Sequence, residues 1–182
     1  MVNKINYEND VSLRIRKYIN EEKNKKNILD VVLVCIGTDR MTGDSFGPLV
    51  GSKIKEKLEK YNISNINVYG TLNNNVCYTN IKETMELIKN RHQSSCVIAI
   101  DSALGEKEDI GKIIVNKEKI HIGKGLNKNK IELGDISIKA VVGKNCKLSN
   151  YNFYILQNTS LNEVIKLSNK VADGVIDAIL NW

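Results

Sequence analysis

The sequence has one proline in 182 residues, few aromatic side chains (5%) and no long apolar run. The single proline, Pro48, argues against a proline-rich linker between domains. No stretch approaches the length of an apolar membrane span, so no transmembrane helix is expected. The opening residues, MVNKINYENDVSLRIRKYINEEKNKK, lack the apolar centre of a secretory signal peptide, which makes the cytoplasm the expected compartment. CxxC pairs are missing too. Cys35 and Cys96 lie in apolar, strand-like runs, Cys77 and Cys146 in expected loops, and all four read as free thiols. Two scattered histidines, His92 and His121, do not supply the clustered ligands of a zinc site.

Arginine is scarce where positive charge is densest. The net charge is +6, and residues 107–130 hold seven lysines against Glu108, Asp109 and Glu118. Without arginine or interleaved aromatics this stretch is not expected to read or stack bases. It reads as a solvated lysine-rich surface that can steer an acidic partner.

What is present is the composition of one globular domain, 42% apolar and 26% charged. We read 1–182 as a single α/β domain, with 1–28 as a helical extension packed on it. Residues 8–26 carry Val11, Ile15, Tyr18 and Ile19 at helical spacing. Asp30–Ile36 is a strand apolar on both faces, as a covered central strand should be. A helix is expected from Pro48 to Tyr61, with proline in its first turn. Asn65–Tyr69 is the next strand, residues 80–92 the next helix, and SCVIAI a third strand ending at Asp101. This strand–helix rhythm implies right-handed crossovers and a largely parallel sheet. Beyond Asp101, Ile110–Asn116 and Ile136–Val142 read as strands joined by the loop IHIGKGLNKNKIELG, so the sheet should be mixed. Phe153–Leu156 is expected as a further short strand. The last helix opens on Ser160 and Glu163, the pattern of a capping box.

Two aspartates carry the candidate chemistry. Asp44 follows the first strand in GTDRMTGDSFG, and Asp101 follows the third. In open α/β sheets, ligands sit outside the carboxyl ends of the strands. Two carboxylates meeting there can share a proton, leaving one as base and the other as acid. The positive end of the following helix should favour an ionised Asp44, making it the base and Asp101 the acid. Each also has a plain structural reading: Asp44 as a helix cap, Asp101 as a turn residue, and Asp39 as a turn residue beside Arg40. The glycines of this loop match neither phosphate-binding pattern, and a mid-loop aspartate repels an anion.

The strings VCIGTDRMTGDSFGPLVG, VYGTL, VIAIDSALG, LGDISI and LQNTSLN…VADGVIDAI resemble the YyaC family of sporulation proteins, described as spore proteases. Through it the chain resembles the germination protease and the hydrogenase maturation endopeptidases. The resemblance implies a three-layer α/β/α sandwich of the phosphorylase/hydrolase-like kind. It also implies a peptidase with Asp44 and Asp101 as its catalytic pair. Asp39, Thr42 and Ser102 are then expected to border the substrate, with Gly123 and Gly125 matching a glycine-rich segment near that site. The implied substrate is a protein or peptide, such as the small acid-soluble spore proteins, inside the sporulating cell or spore. No cofactor is expected, and an oligomer is allowed. In the maturation enzymes a glutamate, an aspartate and a histidine bind a metal. Asp44, Asp101 and His121 are the only counterparts here, and the histidine's surroundings do not match. The alternatives are a non-catalytic protein that binds an acidic partner or DNA, and a metal-dependent endopeptidase.

Overall fold

The computed structural model describes residues 7–122 and 131–182. The expectation for Gly123 and Gly125 lies outside them. The sheet is built on β1 (Asp30–Cys35), whose Val31 to Ile36 neighbourhood is at most 4% exposed. Side chains alternate across a strand, so Val31, Leu33 and Cys35 face one core and Val32, Val34 and Ile36 the other. β1 lies between β2 (Ile66–Tyr69) and β3 (Ser95–Gly105), parallel to both. β7 (Ile136–Lys144) runs parallel to β3, and β4 (Ile113–Asn116) closes the edge antiparallel to β7. The order is β2-β1-β3-β7-β4, a mixed and largely parallel sheet.

One face is covered by α1 (Tyr7–Lys23), α2 (Phe46–Tyr61) and α5 (Leu161–Leu180), packed through Ile15, Ile19, Val50, Ile54, Val171 and Val175. The opposite face carries α3 (Ile81–Arg91) and a two-stranded hairpin of β5 (Ile120–Ile122) and β6 (Ile131–Leu133). The expected three layers are present, with the hairpin taking part of one helical layer. That hairpin forms where the sequence reading has only a loop. Its strands are three residues long and bury every second residue around His121 and Glu132. No helix among the described residues is long and apolar enough to cross a membrane.

Two local expectations fail. Phe153–Leu156 is not a strand but part of helix α4 (Ser149–Gln157), whose start is fixed by the Asn152 side chain. Asn152 Oδ1 accepts from the Cys146 N–H at 2.7 Å, while its Nδ2 donates to Asn145 Oδ1 and the Cys146 carbonyl. Ser160 does occupy the N-cap of α5, but it makes no side-chain cap hydrogen bond, and Glu163 pairs with Lys166 instead.

At the amino edge of the sheet a polar chain ties α3 to β1 and β2. His92 Nδ1 lies 2.6 Å from Asp30 Oδ2, and His92 Nε2 lies 3.0 Å from the Tyr69 hydroxyl. Asn67 Nδ2 donates to the same aspartate oxygen. Replacing His92 with alanine leaves a part-buried carboxylate and a phenol each short of a partner. We expect His92→Ala to cost about 2–3 kcal/mol in urea unfolding, with little change in the slope.

Candidate functional site

The loop after β1 folds back on itself at the carboxyl edge of the sheet. Ile36 N–H donates to the Ile100 carbonyl, and Gly37 N–H to the Val76 carbonyl. Ser45 Oγ donates to the Thr42 carbonyl at 2.7 Å, closing the 3-10 turn Gly43–Ser45 that holds Asp44. Asp44 then reaches back across the loop. Its Oδ2 and its own carbonyl both accept from the Thr38 N–H, at 3.0 and 3.2 Å. The simple helix-cap reading of Asp44 is therefore set aside. Ser45 holds the N-cap of α2, without a side-chain cap bond, and the Asp44 carboxylate goes to Thr38.

Asp101 is not at the end of its strand, as the sequence reading has it. β3 continues to Gly105 because β7 pairs alongside it, with Asp101 in register with Lys139 and Ser102 with Ala140. The turn carrying Asp44 packs against this strand. The two carboxylates are thus brought together, close enough for the charge of one to act on the other. Burial, then the Asp44 charge, hold the Asp101 carboxyl well above the ordinary carboxylate range, opposed by the Ser102 N–H and by Lys139. Burial also raises Asp44, against the pull of the Thr38 N–H. The lowering expected for Asp44 is not found: desolvation outweighs the Thr38 N–H and leaves its carboxyl raised. Of the two, Asp101 is raised further, since it carries both the burial and the like charge.

The remaining residues divide. Thr42 and Ser102 are half-buried beside the pair, whereas Asp39 is exposed on the outer turn. His121 stays on the hairpin, where its Nδ1 lies 3.3 Å from Glu132 Oε1. No group of three or more His, Cys, Asp or Glu side chains that could hold a metal ion occurs among the described residues. Asp44 and Asp101 alone do not make the three-ligand set, so the donor set does not fit that group. Cys35 and Cys96 are buried free thiols, with burial raising both and Cys96 pushed up to about 12. The lysine-rich stretch is largely neutralised where it is described: Lys112 pairs with Asp109, Lys117 with Glu21 and Glu22, and Lys119 with Glu132. A shallow cavity of about 460 Å³ lies at the opposite edge, between the end of α2 and the start of β2, and has no part in this site.

Two contributors escaped the sequence reading. Thr38 acts through its backbone N–H and leaves no side-chain signal. Lys139 did leave one, as the sole charge within the buried run ISIKAVV opposite Asp101.

Among solved structures, the chain is similar to the [NiFe] hydrogenase maturation protease HycI of Thermococcus kodakarensis KOD1. The TM-score is 0.57 at 16% identity, covering 90% of this chain and 99% of that one. It is also similar to the [NiFe] hydrogenase maturation protease HybD of Thermococcus kodakarensis, at TM-score 0.44 and 15% identity over 79% and 95% of the two chains. The first likeness places the fold with that of the hydrogenase maturation proteases. In sequence the chain is 37% identical over 145 residues to "Uncharacterized protein YyaC" of Bacillus subtilis (strain 168), covering 80% of this chain and 67% of that protein. Residues 3–174 match the family described as "Protein of unknown function (DUF1256)", and the chain belongs to that family.

Proposed function

We propose that the protein is a peptidase that hydrolyses peptide bonds with Asp44 and Asp101. The observation that carries this reading is the packing of the turn that holds Asp44 against the strand that holds Asp101, at the sheet's carboxyl edge. Both carboxyls are raised, Asp101 by burial and by Asp44 together, so Asp44 ionises first and Asp101 keeps its proton. Asp44 then takes a proton from water as the water oxygen bonds to the scissile carbonyl carbon. Asp101 gives its proton to the carbonyl oxygen. On collapse the C–N bond breaks, the proton held by Asp44 passes to the leaving nitrogen, and a hydroxyl proton of the intermediate returns to Asp101. The sum is one water added across one peptide bond.

The likeness to the HycI maturation protease supports a protease-like fold; a sporulation or germination role, inside the sporulating cell or spore, is the part of this reading that rests on the motif resemblance alone. Small acid-soluble spore proteins are the substrates to try first. The test is incubation with those proteins followed by mass spectrometry. New fragments are expected with the wild type and are lost in Asp44→Asn. Fragments that persist unchanged in that variant would remove Asp44 from the mechanism. A metal-dependent endopeptidase is the weaker alternative, because the third ligand position has no occupant among the described residues.

A further inference from the structure

Lys139 interrupts an otherwise buried strand, and the hydrolytic steps above leave it unused. Its neighbours Ile138 and Ala140 are 0% exposed, and in β7 only Lys139 and the terminal Lys144 are not buried. Lys139 is the strand partner of Asp101 on one side and of Ile114 on the other. Ile100 and Ile138 face the core under α1, α2 and α5. Alternation along each strand therefore turns Asp101 and Lys139 together to the opposite face, on parallel strands about 4.8 Å apart.

The ammonium is held by Glu118, in the connection from β4 to β5. Lys139 Nζ lies 3.2 Å from Glu118 Oε1, which also accepts from Asn116 Nδ2 at 3.2 Å. Asn116 and then Lys139 keep the Glu118 carboxyl below its usual range, with His121 adding to the pull. Glu118 is 53% exposed, so this bridge adds little to stability. Strand propensity and burial both favour an apolar residue at 139, so the fold alone does not call for a lysine. Among the described residues, the charges that act on Asp101 are Asp44, which opposes its ionisation, and Lys139, which favours it.

We infer that Lys139, held by Glu118, is a positioning residue for the acid Asp101 and the fixed cation of the site, an inference that rests on the peptidase reading. Burial and Asp44 on their own would lock the proton onto Asp101. The lysine loosens it, so that it can pass to the carbonyl oxygen of the substrate near neutral pH. Glu118 completes the arrangement. By engaging the ammonium, it lets Lys139 act on Asp101 across space without drawing it into an ion pair that would strip the acid of its proton.

The first measurement needs no substrate. Asp101→Asn and Lys139→Met, singly and together, form a double-mutant cycle in urea unfolding from pH 4 to pH 9. Coupling should be small at the acid end, where folded Asp101 holds its proton, and should grow as the pH rises through its titration. Glu118 loses its partner in both arms, so its part cancels. The second measurement is turnover on small acid-soluble spore proteins. In Lys139→Met the alkaline limb of kcat should move to higher pH and the plateau should fall by at least ~3-fold, because a proton held more tightly makes a weaker acid. KM and the acid limb, which Asp44 sets, should not move. Lys139→Arg should return the limb to its place. Lys119→Met, which removes the same charge from the hairpin bridge to Glu132, should leave the limb where it is. Coupling that is flat with pH overturns the proposal. So does an alkaline limb that Lys139→Met leaves unmoved, or that Lys119→Met moves equally. Coupling that grows with pH in a protein whose wild type cleaves nothing keeps Lys139 as the partner of Asp101 and removes the hydrolysis.

Discussion

Asp101→Asn is expected to lower peptide hydrolysis by roughly 10²–10⁴-fold, the usual worth of a positioned general acid, and at the same time to stabilise the fold at neutral pH. The second effect follows from the first residue's environment. Its carboxyl is held well above the ordinary range by burial and by the Asp44 charge. The native state therefore binds a proton that the unfolded chain has already released, and stability falls as pH rises through that window. Asparagine has no charge to bury and can still accept from the Ser102 N–H. The variant should match the wild type at low pH, where both states are protonated. It should gain with rising pH and level off above the folded value. Each kcal/mol relieved raises the melting temperature by roughly 2–4 °C in a domain of this size. Thermal unfolding from pH 4 to pH 8, with turnover measured on the same samples, checks both halves. A melting temperature lowered equally at every pH would make Asp101 a structural residue.

The same physics explains how much the sequence could reveal. β1 was legible because a strand covered on both faces must be apolar at consecutive positions, and Val31 to Ile36 are. The place of Asp44, in the loop that follows β1, was legible with it. Where Asp101 sits along its strand was not legible. A polar residue after SCVIAI reads as a terminus, and only the pairing with β7 carries β3 on to Gly105. The short run FYIL is equally good as strand or helix. The decision belongs to Asn152, whose hydrogen bonds to residues 145 and 146 start a helix. The hairpin around His121 escaped because three-residue strands carry too few alternations to show a period. Thr38 could not be found by residue type at all, since its part in the site is a backbone N–H.

Gly37→Ala should be the most damaging small substitution near the site, costing roughly 3–5 kcal/mol out of a total stability of about 5–15 kcal/mol for a typical domain. Two separate penalties meet there. Gly37 has a φ of +140°, a region that side-chain-bearing residues essentially do not adopt, and its added Cβ would stand 2.0 Å from the Asp44 carbonyl oxygen. Relief requires moving the Asp44 backbone, with Pro48 Cδ 3.1 Å from the same point limiting the room. That movement pulls the Asp44 carboxylate from the Thr38 N–H. Gly111 separates the two penalties: its φ is +89° but no atom lies within 4 Å of its would-be Cβ. Gly111→Ala should therefore cost only the backbone strain, on the order of 1 kcal/mol, and leave turnover intact. Urea unfolding of the two variants, with peptide hydrolysis measured on whatever remains folded, gives the comparison. If Gly37→Ala unfolds at the same urea concentration as Gly111→Ala and hydrolyses peptide normally, the close approach of the loop is not what holds Asp44 in place.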